Sequence, residues 1–237
     1  VQKKKGTVAY MGDIDLLYNK EIKCPVCNNL INVTKVKQKG VKIANRDTDF
    51  CIYYEGINPI FYDAWVCENC GYAALSERFE NISSQEASLV KSKITPSWKK
   101  RSFSGERSID GAIEAFKIVL LNNKIRNSKA SDNARVCMRL SWLFRQKKDN
   151  KEIDFLKHTA KYYCDAFDSE RFPVGNLDEA TCLYIIAELK RRSGDYTESM
   201  QWFSRLIGTP DYRNNSKILE MAREQYAILK ESVAHTN

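Results

Sequence analysis

The sequence predicts an α+β chain, with a small β-rich module first and a stack of α-helices after it. Three observations predict it. Two Cys-x2-Cys pairs, Cys24/Cys27 and Cys67/Cys70, bracket a stretch with strand-like alternation. From about Arg107 the apolar spacing changes to that of amphipathic helices. A polar stretch rich in serine and lysine separates the two patterns.

Residues 1–19 read as a lead-in, and the cysteine-bearing module runs from about Lys20 to Phe79. Within it, Ile31-Asn32-Val33-Thr34-Lys35-Val36 alternates at period 2. Phe50 to Tyr54 is β-rich, Trp65-Val66 leads into the second pair, and Gly56 and Asn58-Pro59 mark turns. The bridge, residues 81–105, has room for a short helix with Trp98 and Phe103 as anchors, while Pro96 argues against one continuous helix.

Six helical stripes follow, with Ile109–Leu120, Ala134–Phe144, Ile153–Phe167, Leu177–Ala187, Tyr196–Ile207 and Ile218–Leu229 as their apolar members. Breaks fall at Asn122-Asn123, Lys148 to Asn150, Pro173 to Gly175, Gly194, and Gly208 to Pro210. Leu183, Ala187, Gly194, Tyr196 and Phe203 follow the large-and-small order of a tetratricopeptide hairpin, with Ser199 at the usual alanine position. No regular repeat extends across the other helices, so the expectation is a degenerate stack of three tetratricopeptide-like hairpins. The predicted domains are 1–80, a bridge at 81–105, and 106–237.

The chemistry concentrates on the cysteines. Zinc takes four thiolates in a closed tetrahedral site, and each Cys-x2-Cys turn can bring two sulfurs onto one ion. The 39 residues between Cys27 and Cys67 suit two knuckles joined by a hairpin or small sheet, so the module reads as zinc-ribbon-like with Cys24, Cys27, Cys67 and Cys70 as ligands. Iron in a rubredoxin-like site uses the same donors. A redox pair needs a βαβ setting that this stretch lacks. Cys51, Cys137, Cys164 and Cys182 read as reduced core residues, since a chain of 237 residues needs no disulfide staples.

Other candidates are weaker. Arg46, Asp47 and Asp49 with Asp63 can line a polar patch beside the ribbon, where paired carboxylates serve acid–base work or hold Mg2+. The plainer reading makes Asp47 and Asp49 turn caps and Arg46 an ion-pair partner. The two histidines, His158 and His235, offer little to catalysis, and no phosphate loop or serine elbow occurs.

The net charge is +8, yet it is unevenly spread: residues 81–149 hold 15 basic and 6 acidic side chains, and residues 150–237 hold 12 and 14. Lys99, Lys100 and Arg101 lie between Trp98 and Phe103, and Lys124, Arg126, Lys129, Arg135 and Arg139 extend the basic surface. Basic and aromatic groups together can bind a single nucleic-acid strand. No apolar run is long enough to span a bilayer, which points away from membranes.

Cys24-Pro25-Val26-Cys27, Arg46-Asp47-Thr48-Asp49-Phe50, Gly56-Ile57-Asn58-Pro59 with Tyr62-Asp63, and Cys67-Glu68-Asn69-Cys70-Gly71-Tyr72-Ala73 together resemble the bacterial family DUF2225, a domain of unknown function. The resemblance covers about residues 15–230 and implies a zinc-ribbon-like part followed by tetratricopeptide-like helices. It implies a cytoplasmic protein, since the family's members come mostly from Firmicutes and related bacteria. It supplies no activity, and it draws attention to Arg46, Asp47, Asp49, Asn58 and Tyr62 as a shared surface. The leading expectation is a non-enzymatic cytoplasmic adaptor with one structural Zn2+ and a protein or peptide partner on the helical stack. The alternatives are a nucleic-acid-associated factor using segment 81–149, and a metal-assisted hydrolase or nuclease using Asp47, Asp49 and Asp63.

Overall fold

A computed structural model describes residues 16–234. The lead-in as far as residue 15 and His235 lie outside the described residues. By their internal contacts the described residues form two units, one of residues 16–46 and 52–122, the other of residues 47–51 and 123–234.

The first unit is built from three antiparallel hairpins: β1 (Leu17–Lys23) with β2 (Leu30–Val36), β3 (Lys42–Arg46) with β4 (Ile52–Glu55), and β5 (Ala64–Val66) with β6 (Ala73–Leu75). Alternation along β2 buries Ile31 and Val33, as the period-2 pattern requires. Strand β1 begins at Leu17, inside the expected lead-in, because its whole length pairs with β2 from Leu17↔Val36 to Lys23↔Leu30. The expected strand at Phe50 starts only at Ile52; Phe50 has φ of 66°, which a strand cannot accommodate. Asn58 caps a 3-10 turn at Pro59–Tyr62, its side chain accepting from the Ile60 amide at 3.0 Å.

Small residues let the third hairpin close on a set of aromatic rings. Ala64, Ala73 and Ala74 are buried beside Trp65, Tyr72 and Phe79. Tyr72 and Phe79 have centroids 4.9 Å apart, and the Tyr72 hydroxyl donates to the Phe79 carbonyl at 3.0 Å. Helix α1 (Ser84–Lys93) starts with a capping box: Ser83 accepts from the Glu86 amide, and Glu86 accepts from the Ser83 amide.

Helix α2 (Ile109–Arg126) runs through the break expected at Asn122-Asn123. Both asparagines are buried, and Asn122 Nδ2 donates to the Ile118 and Gly71 carbonyls at 3.0 and 3.1 Å. A polar side chain with such partners does not end a helix.

The second unit holds α3 (Ala130–Lys147), α4 (Lys151–Ser169), α5 (Glu179–Arg192), α6 (Tyr196–Gly208) and α7 (Ser216–Ala234). Each packs on the next in sequence, and α7 also meets α5. The other expected breaks fall between these helices. Helix α5 is central, with Cys182 to Leu189 buried without interruption. Around it lie Leu156, Ala160, Phe203, Leu206, Ala222 and Leu229. Among the described residues, no helix is long and apolar enough to cross a membrane.

In the α5–α6 hairpin, Leu183, Ala187 and Phe203 are fully buried and Gly194 has φ of 86°. Ser199 is buried too, and its hydroxyl donates to the Ala187 carbonyl at 2.8 Å. Tyr196, expected to fill space between hairpins, is 47% exposed because it sits at the first position of α6. Ile153, expected on a buried stripe, is likewise exposed.

Candidate metal centre

Each cysteine pair occupies the tip of a hairpin, Cys24-Pro25-Val26-Cys27 between β1 and β2, and Cys67-Glu68-Asn69-Cys70 between β5 and β6. The two tips share one backbone pattern. The Asn28 amide donates to the Cys24 carbonyl at 2.9 Å, and the Cys24 amide donates to the Asn29 carbonyl at 2.9 Å. In the second tip the Gly71 amide donates to the Cys67 carbonyl at 3.0 Å, and the Cys67 amide to the Tyr72 carbonyl at 2.7 Å. The residue after each pair is left-handed, with φ of 62° at Asn28 and 76° at Gly71. Asparagine and glycine are the residue types that accept this conformation at least cost.

The tips bring four sulfurs together, all within 4.8 Å of one another. Cys24 and Cys70 sulfurs are 3.7 Å apart, and Cys27 and Cys67 sulfurs 3.6 Å. A regular tetrahedron with metal–sulfur bonds of about 2.3 Å has edges of about 3.8 Å, so the cluster fits a metal ion. Cys24, Cys67 and Cys70 are buried and Cys27 is half-buried. The sulfurs share protons: donation from Cys67 and Cys70 holds the Cys24 thiol down to about 4, and the same sharing pushes Cys67 and Cys70 up. Cysteines ligate as thiolates, so binding a dication would expel the sulfur protons.

The second knuckle has a further set of partners that the sequence did not reveal. Thr95 Oγ1 donates to the Cys70 carbonyl at 3.0 Å, and Trp98 Nε1 to the Glu68 carbonyl at 2.8 Å. Both lie in the polar bridge, a part of the first unit that is fastened to its hairpins at more than this point. The Gly105 amide donates to Thr34 Oγ1 at 2.6 Å, and Arg107 donates to the Phe61 and Ala64 carbonyls at 2.7 and 2.9 Å.

The profile of the family described as "Uncharacterized protein conserved in bacteria (DUF2225)" matches residues 17–229. The chain belongs to DUF2225. No curated protein and no solved structure matches it.

The other candidate residues of this DUF2225 chain fall into different surroundings. Asp47 and Asp49 belong to the helical unit, where they meet arginines rather than an open cation site. Arg145 grips Asp49 with two nitrogens, at 3.0 and 2.6 Å, and reaches Asp47 at 2.7 Å and Glu152 at 2.6 Å. Trp142 Nε1 donates to Asp49 at 3.2 Å. Burial works to raise the Asp49 carboxyl, but Arg145 outweighs it and holds the group below its ordinary range. Fully buried Glu188 extends the network, accepting from Thr48 at 2.5 Å, Arg191 at 2.7 Å and Arg192 at 3.0 Å.

The expected patch of Arg46, Asp47, Asp49 and Asp63 therefore divides into two sets of partners. Arg46 is exposed on β3 and Asp63 follows the 3-10 turn, both in the first unit. Tyr62 is buried, and its hydroxyl accepts from the Arg107 amide at 3.2 Å. Among the basic residues, Lys99 and Lys100 are exposed. Arg101 lies over the Trp98 and Phe103 rings and pairs with Glu114 at 2.7 Å. Lys124 and Lys129 are exposed in the second unit, and Arg126, Arg135 and Arg139 are half-buried there.

The remaining cysteines are free thiols. Burial pushes Cys51 and Cys137 up to about 12 and Cys164 up to about 11, which leaves them unreactive as nucleophiles.

Proposed function

We propose that this DUF2225 protein is a non-enzymatic adaptor that uses one structural zinc ion to shape its front unit and binds another protein through its helices. The observation that carries the reading is the sulfur cluster, which offers four protein donors and so leaves no position for a substrate or water. The fate of the carboxylates supports it. Asp47 and Asp49, the best acid–base candidates in the sequence, are taken up by Arg145. When bound, zinc would supply cross-linking rather than Lewis-acid chemistry, with Cys24, Cys27, Cys67 and Cys70 holding it. Zinc is preferred over iron because paired Cys-x2-Cys turns are a common structural zinc site, and metal analysis with an absorption spectrum separates the two.

The helical unit supports the partner half of the proposal. The buried order of Leu183, Ala187, Ser199 and Phe203 is that of a tetratricopeptide-like hairpin, and stacks of such hairpins commonly hold peptides or helices. The nucleic-acid reading is less favoured, because Arg101 already lies over the Trp98 and Phe103 rings and pairs with Glu114.

The test is affinity capture on the metal-loaded full chain, with and without nuclease, followed by reconstitution of the retained pair from purified components. A binary complex that survives nuclease and is lost when helical surface residues are changed supports the proposal. Retention that disappears with nuclease and with moderate salt contradicts it and favours a nucleic-acid factor.

A further inference from the structure

We propose that Thr95, Trp98 and Asn122 are positioning residues of the metal centre, holding the second knuckle in its ligating shape from its carbonyl side. The inference rests on the cysteine cluster binding a metal. A Cys-x2-Cys knuckle turns its amides toward the sulfurs and its carbonyls away, and buried carbonyls need donors. In the second knuckle three carbonyls receive them from side chains distant in sequence. Trp98 Nε1 reaches Glu68 at 2.8 Å, Thr95 Oγ1 reaches Cys70 at 3.0 Å, and Asn122 Nδ2 reaches Gly71 at 3.1 Å. The Cys67 carbonyl is met within the turn by the Gly71 amide. Every carbonyl from Cys67 to Gly71 except that of Asn69 is thereby fixed.

Packing supports the same role. The Trp98 ring lies so close to Gly71 that a Cβ there would sit 2.6 Å from Cδ2 and Cε3. Phe103 stacks on Trp98 with centroids 6.3 Å apart, and Arg101 covers both rings. Outer partners of this kind orient ligands ahead of the ion, and linkage makes the effect mutual: what holds the turn strengthens metal binding, and metal holds the bridge in place.

The test measures zinc affinity of the full chain by competition with a chromophoric chelator, alongside far-UV circular dichroism and urea unfolding. Trp98→Phe keeps the ring and removes the donor. Thr95→Val keeps the shape and removes the hydroxyl, while Thr95→Ser restores it. The expected result is a roughly 10–100-fold weaker affinity for Trp98→Phe and Thr95→Val, with Thr95→Ser close to the unmodified chain. Ser83→Ala, which removes the α1 cap, lowers stability and leaves zinc affinity unchanged. Stoichiometric zinc bound as tightly by Trp98→Phe and Thr95→Val as by the unmodified chain overturns the inference. So does a loss in Ser83→Ala matching theirs. An unmodified chain that takes up no zinc overturns the metal reading itself, and this inference with it.

Discussion

Arg145→Met tests the ion network of the helical unit. The substitution keeps most of the side-chain volume and removes the charge that meets Asp49, Asp47 and Glu152 at 2.6 to 2.7 Å. The Asp49 side chain is 0% exposed, so its carboxylate loses its main counter-charge without gaining water. It keeps the Trp142 N–H at 3.2 Å, the Cys51 amide at 3.3 Å, and Arg192 at 3.9 Å. Removing one partner of a buried pair costs about 3–5 kcal/mol, and the surviving donors place this case at about 3 kcal/mol. The sign with pH follows from Asp49. Its carboxyl is depressed in the fold, so its contribution is present above the ordinary carboxylate range and is lost as pH falls through the folded value. The gap between the unmodified chain and Arg145→Met is therefore widest near neutrality and narrows as pH falls, first as the unpaired Asp49 of the variant takes up a proton and then as Asp49 of the unmodified chain does. Urea unfolding followed by far-UV circular dichroism, repeated in an Asp49→Asn background, measures both effects. A loss under about 1 kcal/mol, or the same loss with and without Asp49, refutes the reasoning.

Three further outcomes follow from the same structure. Cys24→Ser removes a buried ligand, so zinc retention should fall to a trace and the first unit should lose its fold while the helical signal persists; structural sites of this kind supply roughly 10–16 kcal/mol to folding. Gly71→Ala forces φ of 76° on a side chain and drives its Cβ into Trp98, so a loss of about 2 kcal/mol or more is expected in unfolding of the zinc-loaded chain. Phe203→Ala empties a fully buried position beside Tyr184 and should cost about 3–5 kcal/mol, read in the helical transition.

What the sequence disclosed divides along physical lines. The cysteine pairs were legible because ligand spacing is a local property, and the helices because a buried stripe repeats along one element. The positions of α3 to α7 followed from punctuation such as Gly194 and Pro210, which acts on the backbone where it stands. Partners across the chain were not legible. Asp49 is 96 residues from Arg145, and Glu188 is 140 from Thr48; nothing in the local pattern of either segment names the other. Asn122 misled for the same reason, since an asparagine reads as a helix break until its amide is seen to meet Gly71. The short Thr95-Pro96-Ser97-Trp98 segment read as part of the bridge, with Trp98 and Phe103 as anchors, but the Glu68 carbonyl that Trp98 holds was not legible.

The central claim is that Cys24, Cys27, Cys67 and Cys70 close around a single ion. X-ray absorption at the zinc edge of the purified full chain, with metal stoichiometry from the same sample, tests it most directly. One zinc per chain with four sulfurs at about 2.3 Å is the expected result. Nitrogen or oxygen in the first shell, or a metal-free chain whose mass shows these cysteines joined as disulfides, would contradict it.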